Sequence, residues 1–231
     1  GLKFGVVMYF FTSAFNKGVI PLILKKYNKD QNAGQVLIKK LFTYWFLFIA
    51  FVGNLVCLAI PYFFDWFVSS DYKSSVVVSI VLVFNGIISS LGFFTGIGLY
   101  LKNKTKIIFY GSILAIVLNF VLNLILINLM STIGAAIATL LSTFFVGMFY
   151  LVMSYSKLKI GFEWNKLISL LVFQTLLILA MILVLKIYVN TFTQSSLILA
   201  LLLCWFVVIF LFKIIPISYI TDIRKLLKKR L

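Results

Sequence analysis

The chain has 231 residues, 63% of them hydrophobic, with a mean hydropathy of +1.16. That composition excludes an ordinary water-soluble domain. The 21 Lys and Arg against 5 Asp and Glu give a net charge of +16; in a soluble chain this suggests nucleic acid, but here the cations cluster in alternate loops between apolar runs and report membrane topology.

The hydrocarbon core of a bilayer is about 30 Å thick, so a helix needs about 20 apolar residues to cross it. Runs of that length lie at roughly 2–24, 41–64, 75–100, 106–129, 132–154, 166–189 and 195–215. Each is apolar nearly all round, unlike the one-sided helices of a soluble core. The expected fold class is therefore an all-α integral membrane bundle of seven transmembrane helices.

The first run carries Tyr9, Ser13, Asn16 and Lys17. The spacing i, i+4, i+7, i+8 puts them on one helix face. Polar groups in lipid are costly, so their position is informative. Either Lys17 snorkels toward the nearer membrane surface, or this face lines a hydrated cavity where Lys17 attracts an anionic group as a point charge. The basic loop 25–40 follows, with Lys25, Lys26, Lys29, Lys39 and Lys40. Asp65 and Asp71 fall beyond the second run, in a loop of the opposite side.

The third run has Asn85, Ser89, Gly92 and Gly96 at steps of four, three and four. Small residues at that spacing predict close helix packing. Its G-F-F-T-G-I-G segment lies within a span and lacks a βαβ setting, so it is no dinucleotide loop. Lys102, Lys104 and Lys106 mark the next basic loop. The fourth run places Ser112, Asn119 and Asn123 on one face, either bonding a neighbouring helix or lining the cavity. A short turn, Asn128 to Ser131, leads to Gly134, Ala138 and Ser142, a second close-packing pattern.

The segment 157–166 holds Lys157, Lys159 and Lys166 and separates five spans from the last two. Gln174 is alone in the sixth span and reads as a satisfied packing residue. A second short turn runs from Asn190 to Ser195. The tail 216–231 spaces Ile217, Ile220, Ile223 and Leu227 helically among Arg224, Lys225, Lys228 and Lys229. This suits an interfacial helix on anionic lipids, or a solvated basic tail. With Lys213 and Arg230, 17 cations fall on one side. That side is expected to be cytoplasmic, with the C-terminus inside and the start outside. A start at Gly1 directly before an apolar run suggests missing preceding sequence, or removal of an initiator Met.

Cys57 and Cys204 sit inside spans as small hydrophobes, without disulfide or metal spacing. The chain has no His, which removes the commonest metal ligand and proton shuttle. No nucleophile motif, catalytic carboxylate pair or phosphate loop is visible, so neither an enzyme nor a cofactor is expected.

Three segments carry a resemblance. P-L-I-L-K-K-Y-N-K-D-Q at 21–31 resembles the cytoplasmic turn after the eighth helix of bacterial polysaccharide flippases. F-V-S-S-D-Y-K-S-S at 67–75 is similar to an outer loop of that family. L-N-F-V-L-N-L-I-L-I-N-L-M-S-T-I-G-A-A-I-A-T-L-L-S at 118–142 resembles its Asn-containing helix, short turn and G-A-A-x-A-T helix start. Many members have L-I-P where this chain has Leu126, Ile127 and Asn128. The family belongs to the superfamily of the multidrug and toxin extruders and the lipid II flippases.

The resemblance implies helices eight to fourteen of a fourteen-helix, two-lobed transporter. Residues 1–156 are then five spans of the C-terminal lobe, 157–215 the last two helices and 216–231 a basic cytoplasmic tail. The implied activity is flipping an undecaprenyl-diphosphate-linked oligosaccharide across the bacterial cytoplasmic membrane by alternating access, for cell-surface polysaccharide biosynthesis. The implied cavity residues are Lys17, Asn16, Ser13, Tyr9, Asn119 and Asn123. The implied partners are the lipid-linked oligosaccharide, the N-terminal lobe of the same chain and anionic lipids at the tail, with no nucleic acid. The alternatives are a drug or small-molecule extruder of the same superfamily, for which a deep acidic residue is expected, and a non-transporting membrane scaffold.

Overall fold

The computed structural model describes residues 2–67, 75–187 and 191–211. Among these the regular elements are all α-helices, and no strand occurs. Five helical stretches are long and apolar enough to cross a membrane: Phe4–Lys29, Gln31–Phe67, Ser75–Leu101, Thr105–Lys157 and Trp164–Ile187. The described residues are thus all-helical in their regular structure and suited to a membrane. Asp71 with its loop and the basic tail 216–231 lie outside the described residues. Contacts divide the chain into two compact units, Gly1–Leu167 and Ile168–Leu231.

The first unit begins with α1 (Leu2–Lys29) and α2 (Gln31–Phe67). The predicted loop 25–40 is in fact a single-residue joint, Asp30. Its carboxylate accepts a bond from the Ala33 N–H at 3.1 Å, and so caps the exposed start of α2. Lys26 and Lys29 close the last turn of α1, where cations complement the helix dipole. Gly34 lies against Tyr27, and a Cβ there would strike the Tyr27 backbone. That close approach lets both helices continue past their apolar runs. α2 has 37 residues and is about 55 Å long, well beyond the bilayer core.

The predicted span 75–100 is broken into α3 (Ser75–Ser90), α4 (Gly92–Thr95) and α5 (Ile97–Leu101). At the first break the Leu91 N–H reaches back only three residues, to the Ile88 carbonyl at 3.1 Å. The Ser90 carbonyl is met instead by the Trp45 indole N–H at 3.2 Å. The Thr95 hydroxyl donates to the Gly92 carbonyl at 3.0 Å. A break within a membrane helix is tolerated when released carbonyls find such donors.

α6 (Thr105–Lys157) has 53 residues but turns back at Ser131, whose φ of 51° and ψ of −131° are not helical. The Tyr150 hydroxyl donates to the Ile108 carbonyl at 2.9 Å across 42 residues of chain. In a straight helix these residues would lie roughly 63 Å apart. The arms 105–130 and 132–157 therefore form an antiparallel hairpin, and the predicted four-residue turn shrinks to one residue. The small-residue reading holds at Gly134, which abuts the Leu126 carbonyl with no room for a Cβ. It does not hold at Gly92, which has open space around it. The tight contacts of α3 and α5 fall elsewhere, at Gly86 against Met8 and at Gly98 against Ser154.

Aromatic rings fill the interior of this unit. Phe15 stacks on Trp45 with centroids 3.8 Å apart, and Phe42 stacks on Phe94 at 4.9 Å. Phe162, in the segment between α6 and α7, meets Phe42 edge-on at 5.1 Å. Such pairs contribute about 0.5–1.5 kcal/mol each beyond their burial. Gly161 lies beside the Lys39 ammonium, and Gly98 beside Leu158. Lys39 of α2, α5 with Lys102 just after it and the 157–163 link therefore gather at one end.

α7 (Trp164–Ile187) starts in the first unit and continues through the second, followed there by α8 (Thr191–Leu211). Leu170, Gln174, Leu177 and Met181 are buried on one face of α7. Gln174 is buried and partnered, as expected. Ile198, Leu202 and Trp205 form the buried face of α8. The Gln194 side-chain amide donates to the Leu185 carbonyl at 3.4 Å and ties α8 to α7. Cys57 is buried as expected, but Cys204 is exposed because it lies off the Ile198–Leu202–Trp205 face.

Candidate functional site

Tyr9, Ser13, Asn16 and Lys17 share one face of α1 by helical spacing, and that face opens into a cleft of about 370 Å³. Thr12, Ile20 and Pro21 complete its walls. A second cleft, of about 390 Å³, adjoins it. Gly5, Val6, Tyr9 and Thr12 line it from α1, Leu82, Asn85, Gly86 and Ser89 from α3, and Thr139 from the second arm of α6. Tyr9 and Thr12 belong to both, so the two clefts form one continuous track, its wall mostly apolar with polar groups set into it. α1 and α3 touch where Gly86 meets Met8, and the track opens beside that contact.

Lys17 is exposed in the first cleft. Because α1 continues to Lys29, Lys17 lies about 18 Å from the helix end rather than near it. Among the described residues no carboxylate pairs with it. Pro21 follows four residues later and has no N–H to give the Lys17 carbonyl. A cation and a carbonyl that lacks its ordinary helical donor thus belong to the same residue. The polar sequence pattern pointed to Lys17; the signal at Pro21 was equally readable, from its offset of four.

Two amides have oxygens shielded from solvent and without a partner among the described residues, those of Asn16 and Asn85. An unmade bond of this kind costs about 1–3 kcal/mol. The Thr12 hydroxyl donates to the Met8 carbonyl at 2.8 Å, and the Thr139 hydroxyl to the Ala135 carbonyl at 2.9 Å. Their protons are committed to the backbone, so toward the cleft these groups act as acceptors.

Asn119 and Asn123 stand apart from the track. The Asn119 amide donates across the hairpin to Ser142 at 3.2 Å and Thr139 at 3.4 Å. The Asn123 amide donates to the Asn119 carbonyl and side-chain oxygen, both at 2.9 Å. The Asn119 bonds clamp the two arms of α6, those of Asn123 hold Asn119 within its own arm, and Asn119 reaches the second cleft only through Thr139. Ser112 donates to the Ile108 carbonyl at 3.1 Å and plays no part in either cleft. Asn85 and Ser89 were read from spacing as packing residues and line the cleft instead, while Thr12 and Thr139 escaped sequence reasoning. Thr12 is three residues from Tyr9 and was legible by spacing, whereas Thr139 enters only because the hairpin folds back.

The chain matches no family model, no curated protein and no solved structure. The geometry therefore speaks through its chemistry. One end of the track offers a lone ammonium, and the other offers neutral oxygens. No carboxylate lines either cleft.

Proposed function

We propose that this chain is the C-terminal part of a transporter that flips an undecaprenyl-diphosphate-linked oligosaccharide across the bacterial cytoplasmic membrane. On this reading α1, α2, the broken helix α3–α5, each arm of α6, α7 and α8 cross the bilayer, seven crossings in all. They correspond to the second lobe and the last two helices of a two-lobed transporter. The lysine-rich end faces the cytoplasm, where anionic lipids attract it, and the C-terminal tail lies on that side. The N-terminal lobe supplies the opposite wall of the cavity, and the lobes alternate about it.

The observation that carries the proposal is Lys17. It stands in a membrane-length helix, lines a cleft beside Tyr9, Ser13 and Asn16, and has no counter-ion among the described residues. A cation without a partner on a membrane-length helix draws an anion. A diphosphate matches that demand. Tyr9, Ser13 and Asn16 line the same wall, while in the adjoining cleft Asn119 braces Thr139 and Asn123 braces Asn119. The absence of a carboxylate from both clefts disfavours export of small cations.

The test is export by the full-length protein carrying Lys17→Ala, at wild-type expression. Export is expected to fall sharply or cease, and Lys17→Arg is expected to keep part of it. Unchanged flux in Lys17→Ala overturns the proposal.

A further inference from the structure

The second cleft differs in kind from the one around Lys17. Val6, Tyr9, Thr12, Asn85, Ser89 and Thr139 line it, and none is charged. Thr12 and Thr139 have given their protons to backbone carbonyls at 2.8 and 2.9 Å. The Asn85 oxygen is an acceptor with no partner among the described residues, shielded from solvent at the cleft wall. Rotation of the amide into the cleft would present it to a ligand hydroxyl. The wall thus offers acceptors at Thr12, Thr139 and the Asn85 oxygen, donors at the Tyr9 and Ser89 hydroxyls and the Asn85 amide, and no charge.

Its ligand must bring groups that both donate and accept hydrogen bonds without carrying charge. A negatively charged group finds no cation here. An ammonium finds donors' partners but no carboxylate to balance its charge, which is costly away from water. A purely apolar group leaves the acceptors unmet. An uncharged, hydroxyl-rich group meets all three conditions. Its apolar C–H faces can rest on the Tyr9 ring and Val6, and its hydroxyls can donate to Asn85, Thr12 and Thr139. Tyr9 and Lys17 are eight positions apart on α1, about 12 Å along the axis, so a diphosphate at Lys17 leaves room for a sugar unit beyond it.

Resting on the transporter reading above, we infer that this cleft is a subsite for neutral sugar, and that it selects uncharged over acidic glycans next to the diphosphate. The test is equilibrium binding to the full-length protein in lipid nanodiscs. Three probes are compared: undecaprenyl diphosphate alone, the same carrier with a neutral hexose disaccharide, and the carrier with a hexuronic acid in that disaccharide. Wild type is expected to bind the neutral glycan carrier about tenfold tighter than the bare carrier, as a site built around substrate hydroxyls should. The acidic carrier is expected to gain nothing. Asn85→Leu and, separately, Ser89→Ala should bring the neutral glycan carrier down toward the affinity of the bare one. Ser89 is exposed, so its variant tests the cleft without burdening the core.

Equal wild-type affinity for the bare and neutral carriers overturns the subsite and leaves the diphosphate reading standing. So does tightest binding of the acidic carrier, or a full preference retained in both variants. Failure of wild type to bind any of the three overturns both readings.

Discussion

On α1, Asn16 has an amide oxygen without a partner and Lys17 has no counter-ion among the described residues. On α6, Asn119 donates to Ser142 and Thr139, and Asn123 donates back to Asn119. Both sets are polar residues at helical spacing on an apolar helix. They differ in what stands opposite. The hairpin at Ser131 brings a hydroxyl-bearing arm to Asn119, whereas the α1 face opens into space. A polar face in a membrane helix is an adhesive where a partner helix meets it, and a binding wall where none does.

The largest expected effect tests the open wall. Lys17→Glu reverses the only charge lining the two clefts, and export by the full-length protein should fall about tenfold or more, each tenfold being 1.4 kcal/mol. Thermal unfolding in detergent should move little, because the residue is exposed. A large fall in the unfolding midpoint with normal flux per folded molecule would mean that Lys17 is structural.

Next comes the closed interface. Gly134→Ala forces a Cβ onto the Leu126 carbonyl, a backbone atom that cannot step aside, and should destabilise by about 1–3 kcal/mol. Gly92→Ala meets nothing and should stay within about 0.5 kcal/mol of wild type. Equal unfolding midpoints for the two variants would show that the hairpin arms are not in close contact.

The asparagines sharpen the contrast. Asn119→Leu removes the donor to Ser142 and Thr139 and should cost about 0.6–1.7 kcal/mol, the range of hydrogen bonds between membrane helices. Asn16→Leu removes an acceptor that has no partner and should be within about 0.5 kcal/mol of wild type, or slightly stabilising. A Leu at position 16 that destabilised as much as one at 119 would erase the distinction drawn here.

The smallest expected effect is a gain. Ser131 holds a φ of 51° with ψ −131°, a backbone region that favours glycine. Ser131→Gly should raise stability by about 1 kcal/mol, measured by the same unfolding assay, by relieving that strain. No gain would mean that the side chain makes its own compensating contact.

Much of the architecture was legible because lipid leaves the backbone few choices. Long apolar runs with lysines between them can only be helices, and the positions of α1, α2, α6 and α7 follow from that. Helix ends were less legible. α1 and α2 run past their apolar stretches because Asp30 caps the joint and Gly34 admits Tyr27, details that hydropathy does not weigh. The breaks at Leu91 and Gly96 were invisible for a similar reason, since the Ser90 carbonyl is satisfied from Trp45, 45 residues away.

The residue types alone determined that the chain is a set of membrane-length helices and that α1 carries a polar face with a lysine. Only the tertiary structure decided which polar residues bind each other and which face open space. That choice depends on what another helix places within about 3 Å, and hydrogen bonds at that range are set by packing rather than by spacing along the chain. Thr139 is the clearest case: it is unremarkable in its own helix and joins the cleft only because α6 folds back at Ser131.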